Sequence, residues 1–212
     1  MKIFVIGATG RVGGYVIQKL EEKGHTVYAA SRHPEAITAT ENIVPVKFDL
    51  HDDAKTQAKA MDHMDAVYYV AGSRGHDLLQ TDAYGAVKSM EAAEQSYVSR
   101  FVMLSSLFSM EPAKWAEEES LRDITNYNIA KFFADQWLMT RTNLCYTIVQ
   151  PGSLTEDAGT GKITLRPEHS APNPIPDVAE VLVEVLDRKN TYGQLVPMIG
   201  GDTPIADALA TI

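Results

Sequence analysis

The chain has 212 residues and is 45% hydrophobic, enough to bury one full core, so its length implies a single domain over residues 1–212. A formal charge of -9, a pI near 5.1 and the lack of any basic run exclude a protein that tracks nucleic-acid phosphates. One cysteine, Cys145, excludes an intramolecular disulfide; six histidines show no metal-ligand spacing; no apolar stretch reaches the roughly 18 residues of a membrane span. With no leader pattern before the first strand, the expectation is a soluble, cytoplasmic protein, a monomer or homodimer, with no metal, membrane or nucleic-acid partner.

In chain order, "KIFVIGA" predicts a first strand that breaks into Gly7, Gly10 and Gly13. A helix follows in "RVGGYVIQKLEEKG", with Val12, Tyr15, Val16 and Leu20 on one apolar stripe and Gly24 as its stop. "HTVYAAS", "IVPVKFD", "AVYYVAG", "RFVMLSS", "CYTIVQP" and "QLVPMIG" predict further strands, nearly continuous in apolar residues and so buried on both faces, with Cys145 a core thiol in the sixth. "HDD" at His51 to Asp53 reads as an acidic loop starting a helix. Helices are predicted in "DAYGAVKSMEAAEQSY", "NYNIAKFFADQWLMTR", where Trp137 reads as core, and "DVAEVLVEVLDRK". The alternation of strand and helix predicts an α/β fold of Rossmann type, a doubly wound parallel sheet in a three-layer α/β/α arrangement. Residues 151–176 are irregular and proline-rich, with a small hairpin expected at "DAGTGKITL"; this segment and the 107–125 loop are expected to contribute to a substrate site. Phe108, Met110 and Trp115 either line an apolar pocket there or pack in the ordinary way. Near the end, Pro204 in "TPI" suits the first turn of a last helix.

The glycine turn lies where a strand meets a helix, with a second strand at the distance a βαβ unit requires. Such a turn lets backbone approach a pyrophosphate, with free amides at the helix N-terminus aimed at the anion. Gly7 permits the turn, Gly10 the close approach and Gly13 tight helix-to-strand packing, with Thr9, Arg11 and Val12 completing the cradle. The second strand ends Ser31-Arg32-His33, with no acid before Glu35. A ribose 2′-hydroxyl calls for a carboxylate there, whereas a 2′-phosphate is met by a cation and a hydroxyl. Arg32 and Ser31, with Arg11 in reach, thus favour NADP(H), with NAD(H) possible. Tyr127 and Lys131 in "YNIAK" are four apart, on one face of a helix, so that phenol and ammonium can share a cleft, the cation favouring the ionised phenol. Ser105 and Ser106 end the fifth strand at the edge where open α/β sheets bind ligands.

These stretches, with "YTIVQPGSL" and "GDTPIADAL", resemble the atypical short-chain dehydrogenase/reductases, in particular the small NAD(P)H-binding group of NADH-flavin reductase-like and epimerase-like proteins that includes biliverdin reductase B. The resemblance implies a Ser/Tyr/Lys catalytic set of Ser106, Tyr127 and Lys131, with Ser105 on the cofactor side or the two serines exchanged. It further implies that Asp49 and Leu50 meet the adenine, that Ala71 and Gly72 run along the cofactor, and that Pro151, Gly152 and Ser153 lie against the nicotinamide while Lys131 holds its ribose. Arg74 stands where many similar sequences have glycine, and the sequence stops about where larger sugar-nucleotide epimerases would add a substrate domain, so the expectation is that a nucleotide sugar has little to bind it. The implied activity is hydride transfer from NADP(H) to a small-molecule acceptor: a carbonyl, quinone or flavin-like compound. The alternatives are a dinucleotide-binding redox sensor without turnover and an NAD-dependent epimerase or dehydratase.

Overall fold

The computed structural model describes residues 1–212. In chain order the elements are β1 (Lys2–Ile6), α1 (Arg11–Glu22), β2 (Thr26–Ser31), β3 (Ile43–Lys47), α2 (Ala54–Ala60), β4 (Ala66–Tyr69), α3 (Tyr84–Gln95), β5 (Arg100–Leu104), α4 (Pro112–Glu117), α5 (Glu119–Arg122) and α6 (Thr125–Arg141). There follow β6 (Cys145–Pro151), β7 (Ser153–Thr155), β8 (Lys162–Leu165), β9 (Pro172–Pro174), α7 (Ile175–Glu184), β10 (Gln194–Gly200), β11 (Thr203–Pro204) and α8 (Ile205–Leu209). A π-helical turn, Leu78–Ala83, leads into α3.

The main sheet has nine strands in the order β11-β8-β10-β6-β5-β4-β1-β2-β3. From β3 to β10 all pairings are parallel, and β8 runs against both its neighbours. The fold is the doubly wound Rossmann type, and the strand order reverses direction at β1 and β4, which opens a crevice beyond their carboxyl ends. Along β1 the side chains alternate, as a strand's period of two demands. Ile3 and Val5 join the core under α1 and α7, while Phe4 and Ile6 join the core under α3 and α6. Each such buried side chain contributes about 1.5–3 kcal/mol relative to exposure, so both faces of the sheet are held by the same short strand.

Several expectations need correction. The stripe of α1 is Val12, Val16, Ile17 and Leu20; Tyr15 is exposed, because only a narrow face of the helix meets the sheet and α7. Gly24 does end α1, in a left-handed conformation, its N–H donating to Glu21 O. Strand β3 is not buried on both faces: it is the edge, Val44 is exposed, and Pro45, lacking an N–H, is tolerated there. Trp137 is exposed on the outer side of α6, and Cys145 is half-buried at the start of β6. The local hairpin at "DAGTGKITL" does not form. Its strand half, β8, pairs with β10 and β11, while Ser153–Thr155 pairs in parallel with β9 in a separate two-stranded sheet. The turn before β8 is instead held by Asp177, whose carboxylate accepts from the N–H groups of Thr160 and Gly161. Pro204 is the N-cap of α8, one residue ahead of the first turn. At Asp53 the acidic loop does start α2, its carboxylate accepting from Thr56 N at 2.7 Å.

Candidate functional site

The crevice is a cleft of about 570 Å³, within the usual range for a small-molecule or cofactor site. Its lower wall is the turn after β1. Gly7 has φ +92°, and a Cβ there would stand 2.6 Å from Ala71 N, so only glycine serves. Gly10 is the N-cap of α1 in ordinary extended backbone; what it contributes is a bare surface, with a Cβ reaching to 3.0 Å from Gly7 O. Gly13 does not line the cleft. A Cβ there would strike Gly7 O at 2.1 Å, so its lack of a side chain lets α1 seat against the turn.

Thr9, Gly10, Arg11 and Val12 line the cleft beside Ser31 and Arg32 from the end of β2. Ser31 is buried, its hydroxyl 3.0 Å from Thr9 Oγ1 and accepting from His33 N. Arg32 is exposed with its guanidinium free of any ion pair, whereas Arg11 is engaged by Glu156 at 3.0 Å. Asp49 and Leu50 follow β3 on the same wall; Asp49 accepts from His51 N, and His51 bridges to Asp77 at 2.8 Å. Ala71 and Gly72 follow β4, and Arg74, at φ +53°, also lines the cleft.

At the other end Ser105, Ser106, Tyr127, Lys131, Pro151, Gly152 and Ser153 converge. Tyr127 is half-buried and Lys131 buried, the ammonium 5.9 Å from the phenol ring's centre. Lys131 Nζ donates to Leu104 O at 2.9 Å, which pins it to the carboxyl end of β5. Burial pushes the Tyr127 phenol above its ordinary range; Lys131 pulls it down, and the carboxylates of Asp82 and Asp135 push it up again. Sequence reasoning weighed only the cation. In the folded site burial wins, and the phenol keeps its proton.

The two serines are not equivalent. Ser105 is buried and its hydroxyl donates to Asp135 at 2.7 Å, while Ser106 is half-buried beside the Tyr127 phenol. The two irregular segments add Leu107, Ser120, Leu121, Ile124, Leu154 and Ser170 to the wall. Glu118 ties those segments together, accepting from Ser170 N and facing His169 at 3.0 Å, and Ser120 reaches Ser170 at 2.9 Å. Phe108, Met110 and Trp115 are not in the cleft lining. Phe108 is buried with Leu107 and Leu121, and the Trp115 indole donates to Phe108 O and packs on Phe132. This is ordinary packing.

Two acids escaped the sequence reading. Asp82, in the π-helical turn, is fully buried and lines the cleft; one oxygen accepts from Ser73 N and the other has no partner. Asp135, fully buried behind Ser105, also has one oxygen without a partner. The one signal available for Asp135 was its spacing: Tyr127, Lys131 and Asp135 follow at four-residue steps along α6. No cluster of His, Cys, Asp or Glu has a metal-site arrangement, and no helix is long and apolar enough to cross a membrane.

Fold and cleft together define a Rossmann-type protein with a cradle for a nicotinamide dinucleotide. Residues 7–189 match the NAD(P)H-binding family, and the chain belongs to it. The chain is 32% identical to YhfK of Bacillus subtilis, named an uncharacterized sugar epimerase, with 99% of each chain covered. Among solved structures, the oxidoreductase ylbE of Lactococcus lactis superposes with a TM-score of 0.97 at 42% identity, covering 100% of this chain and 96% of that one. A Bacillus halodurans protein provisionally described as an NAD-dependent epimerase/dehydratase gives 0.87 at 32% identity, with both chains fully covered.

Proposed function

We propose that the protein is an NADP(H)-dependent oxidoreductase that reduces a small carbonyl, quinone or flavin-like acceptor. The observation that carries this reading is the convergence of Ser106, Tyr127 and Lys131 at the end of the cleft opposite the bare glycine turn. The glycine turn fits a pyrophosphate: a Cβ at Gly7 or Gly10 would crowd backbone, and the N-terminus of α1 opens toward the cleft. Gly7, Thr9, Gly10, Arg11 and Val12 would hold the phosphates, Asp49 and Leu50 the adenine, and Ala71, Gly72, Ser105, Lys131, Pro151, Gly152 and Ser153 the nicotinamide half. When bound, the dinucleotide supplies the hydride.

This chain's own residues would do the rest. Ser106 donates to the acceptor's carbonyl oxygen and orients it. Tyr127, kept protonated by burial, gives its proton to that oxygen as the carbonyl carbon is reduced, and regains one from water. Lys131, anchored on Leu104 O, supplies the positive field beneath the phenol and a donor for the ribose. Preference for the 2′-phosphate rests on Arg32, free of any ion pair at the end of β2, and on Ser31.

The test is oxidation of NADPH and NADH across quinones, flavins and aldehydes, followed by Tyr127→Phe on an accepted carbonyl. Turnover of the variant should fall by about two to four orders of magnitude with cofactor affinity unchanged. Wild-type turnover by Tyr127→Phe would remove the phenol from the mechanism. Binding of NADPH with no acceptor reduced would favour the sensor reading.

A further inference from the structure

Behind the cleft wall four polar side chains meet where no solvent reaches. Asp135 Oδ2 accepts from Ser105 Oγ at 2.7 Å, from Ser109 Oγ at 2.5 Å and from Gln150 Nε2 at 3.2 Å. Gln150 also donates to Ser109 Oγ at 2.6 Å. All four residues are at most 4% exposed. The donors come from three places: the end of β5, the turn after it, and the penultimate position of β6. Two of the donors adjoin cleft residues in the chain, Ser105 next to Ser106 and Gln150 next to Pro151, and Asp135 itself lies one helical turn beyond Lys131.

We propose that Asp135 is a positioning residue for the reaction: it clamps the ends of β5 and β6 under the site and supplies the anion that complements Lys131 beneath Tyr127. This rests on the reductase reading above. Three donors converging on one oxygen suit a carboxylate, and its other oxygen has no hydrogen-bond partner. Burial holds the carboxyl above its ordinary range, and Ser109, Ser105, Lys131 and Gln150 offset part of that. By taking the Ser105 hydroxyl, Asp135 also leaves Ser106 as the serine available to an acceptor. The charged groups that act on the phenol are Lys131, Asp82 and Asp135; removing the last lets the phenol lose its proton more easily.

Asp135→Asn keeps the volume and an oxygen for Ser105 and Ser109 but removes the charge. The alkaline limb of the rate profile should move to lower pH, so that where the wild type still turns over the variant has lost about tenfold. The same displacement should appear without any acceptor, in the ultraviolet titration of the Tyr127 phenol with Tyr127→Phe as the blank. If Asp135→Asn does not fold, Ser109→Ala leaves the Asp135 charge less neutralised and should move the limb the opposite way, to higher pH, by less. An unchanged profile and an unchanged phenol titration would reduce Asp135 to packing and overturn the proposal. Should the wild type reduce nothing, the reductase reading fails by itself, and the phenol titration still decides whether Asp135 is coupled to Tyr127.

Discussion

The two edges of the parallel sheet treat buried polar groups in opposite ways. At the amino edge, Arg100 opens β5 and is buried without a carboxylate partner. Its Nε donates to Leu186 O, NH1 to Cys145 O, and NH2 to Thr147 Oγ1 and Val185 O, while the guanidinium stacks 4.4 Å over Tyr192. Two of those carbonyls, Val185 O and Leu186 O, lie at the C-cap of α7 and just beyond it, where negative partial charge gathers at the helix end. Beyond the carboxyl edge the buried side-chain atoms without partners gather: Ser73 Oγ, Asp82 Oδ1, Asp135 Oδ1, Thr155 Oγ1 and Asn173 Nδ2. An orphaned buried polar atom costs about 1–3 kcal/mol, so a fold keeps such atoms where something else is gained. One edge uses its buried polar groups to hold elements together, and the other leaves several atoms unpaired, of which those of Asp82 lie in the cleft wall.

This contrast can be broken at either edge. The largest expected effect is at Arg100. Arg100→Leu takes a donor from each of four acceptors, of which Val185 O and Leu186 O keep a second one, and should cost about 3–5 kcal/mol in denaturant unfolding, with NADPH affinity at 25 °C unchanged while the chain is folded. A loss of affinity larger than the loss of stability would deny the separation of the edges. Arg32→Ala should do the reverse. It removes a charge-assisted contact worth roughly 1.5–3 kcal/mol, so NADPH should bind about ten- to a hundredfold more weakly while NADH affinity and the melting curve stay put. Equal wild-type affinities for the two cofactors would show that Arg32 reads no phosphate. The smallest effect sharpens the comparison, since not every acid beyond the carboxyl edge serves a ligand. Asp53→Ala removes the N-cap of α2 and should lower the melting temperature by about 2–4 °C without touching cofactor affinity. A drop in NADPH binding from Asp53→Ala would enlarge the site past the glycine turn.

What was legible in the sequence follows from how local each cause is. Gly7, Gly10 and Gly13 declared their turn because the constraint sits within seven residues, and Tyr127 and Lys131 declared a shared face because one helix fixes both. Tyr15 and Trp137 misled for a related reason: periodicity tells which residues share a face, not how wide a face the neighbours cover. Strand β8 was missed as part of the main sheet because its partner β10 begins 29 residues after it ends, and a turn-like "GTG" offers a nearer but wrong partner. Asp82 and Asp135 could not be told from surface acids, since burial of a charge is decided by elements distant in the chain.

The central claim is that the bare glycine turn after β1 cradles the dinucleotide at the carboxyl edge, and Gly10→Val tests it most directly. The backbone at Gly10 is extended, so valine is conformationally allowed, but its side chain would stand on the cradle's floor. Melting should be measured for wild type and variant with and without NADPH. At a free concentration 100 times its Kd, NADPH should stabilise the wild type by about 2.7 kcal/mol, and should leave the melting of Gly10→Val where it was without cofactor. Stabilisation of Gly10→Val equal to that of the wild type would contradict the account, because the phosphates would then bind elsewhere.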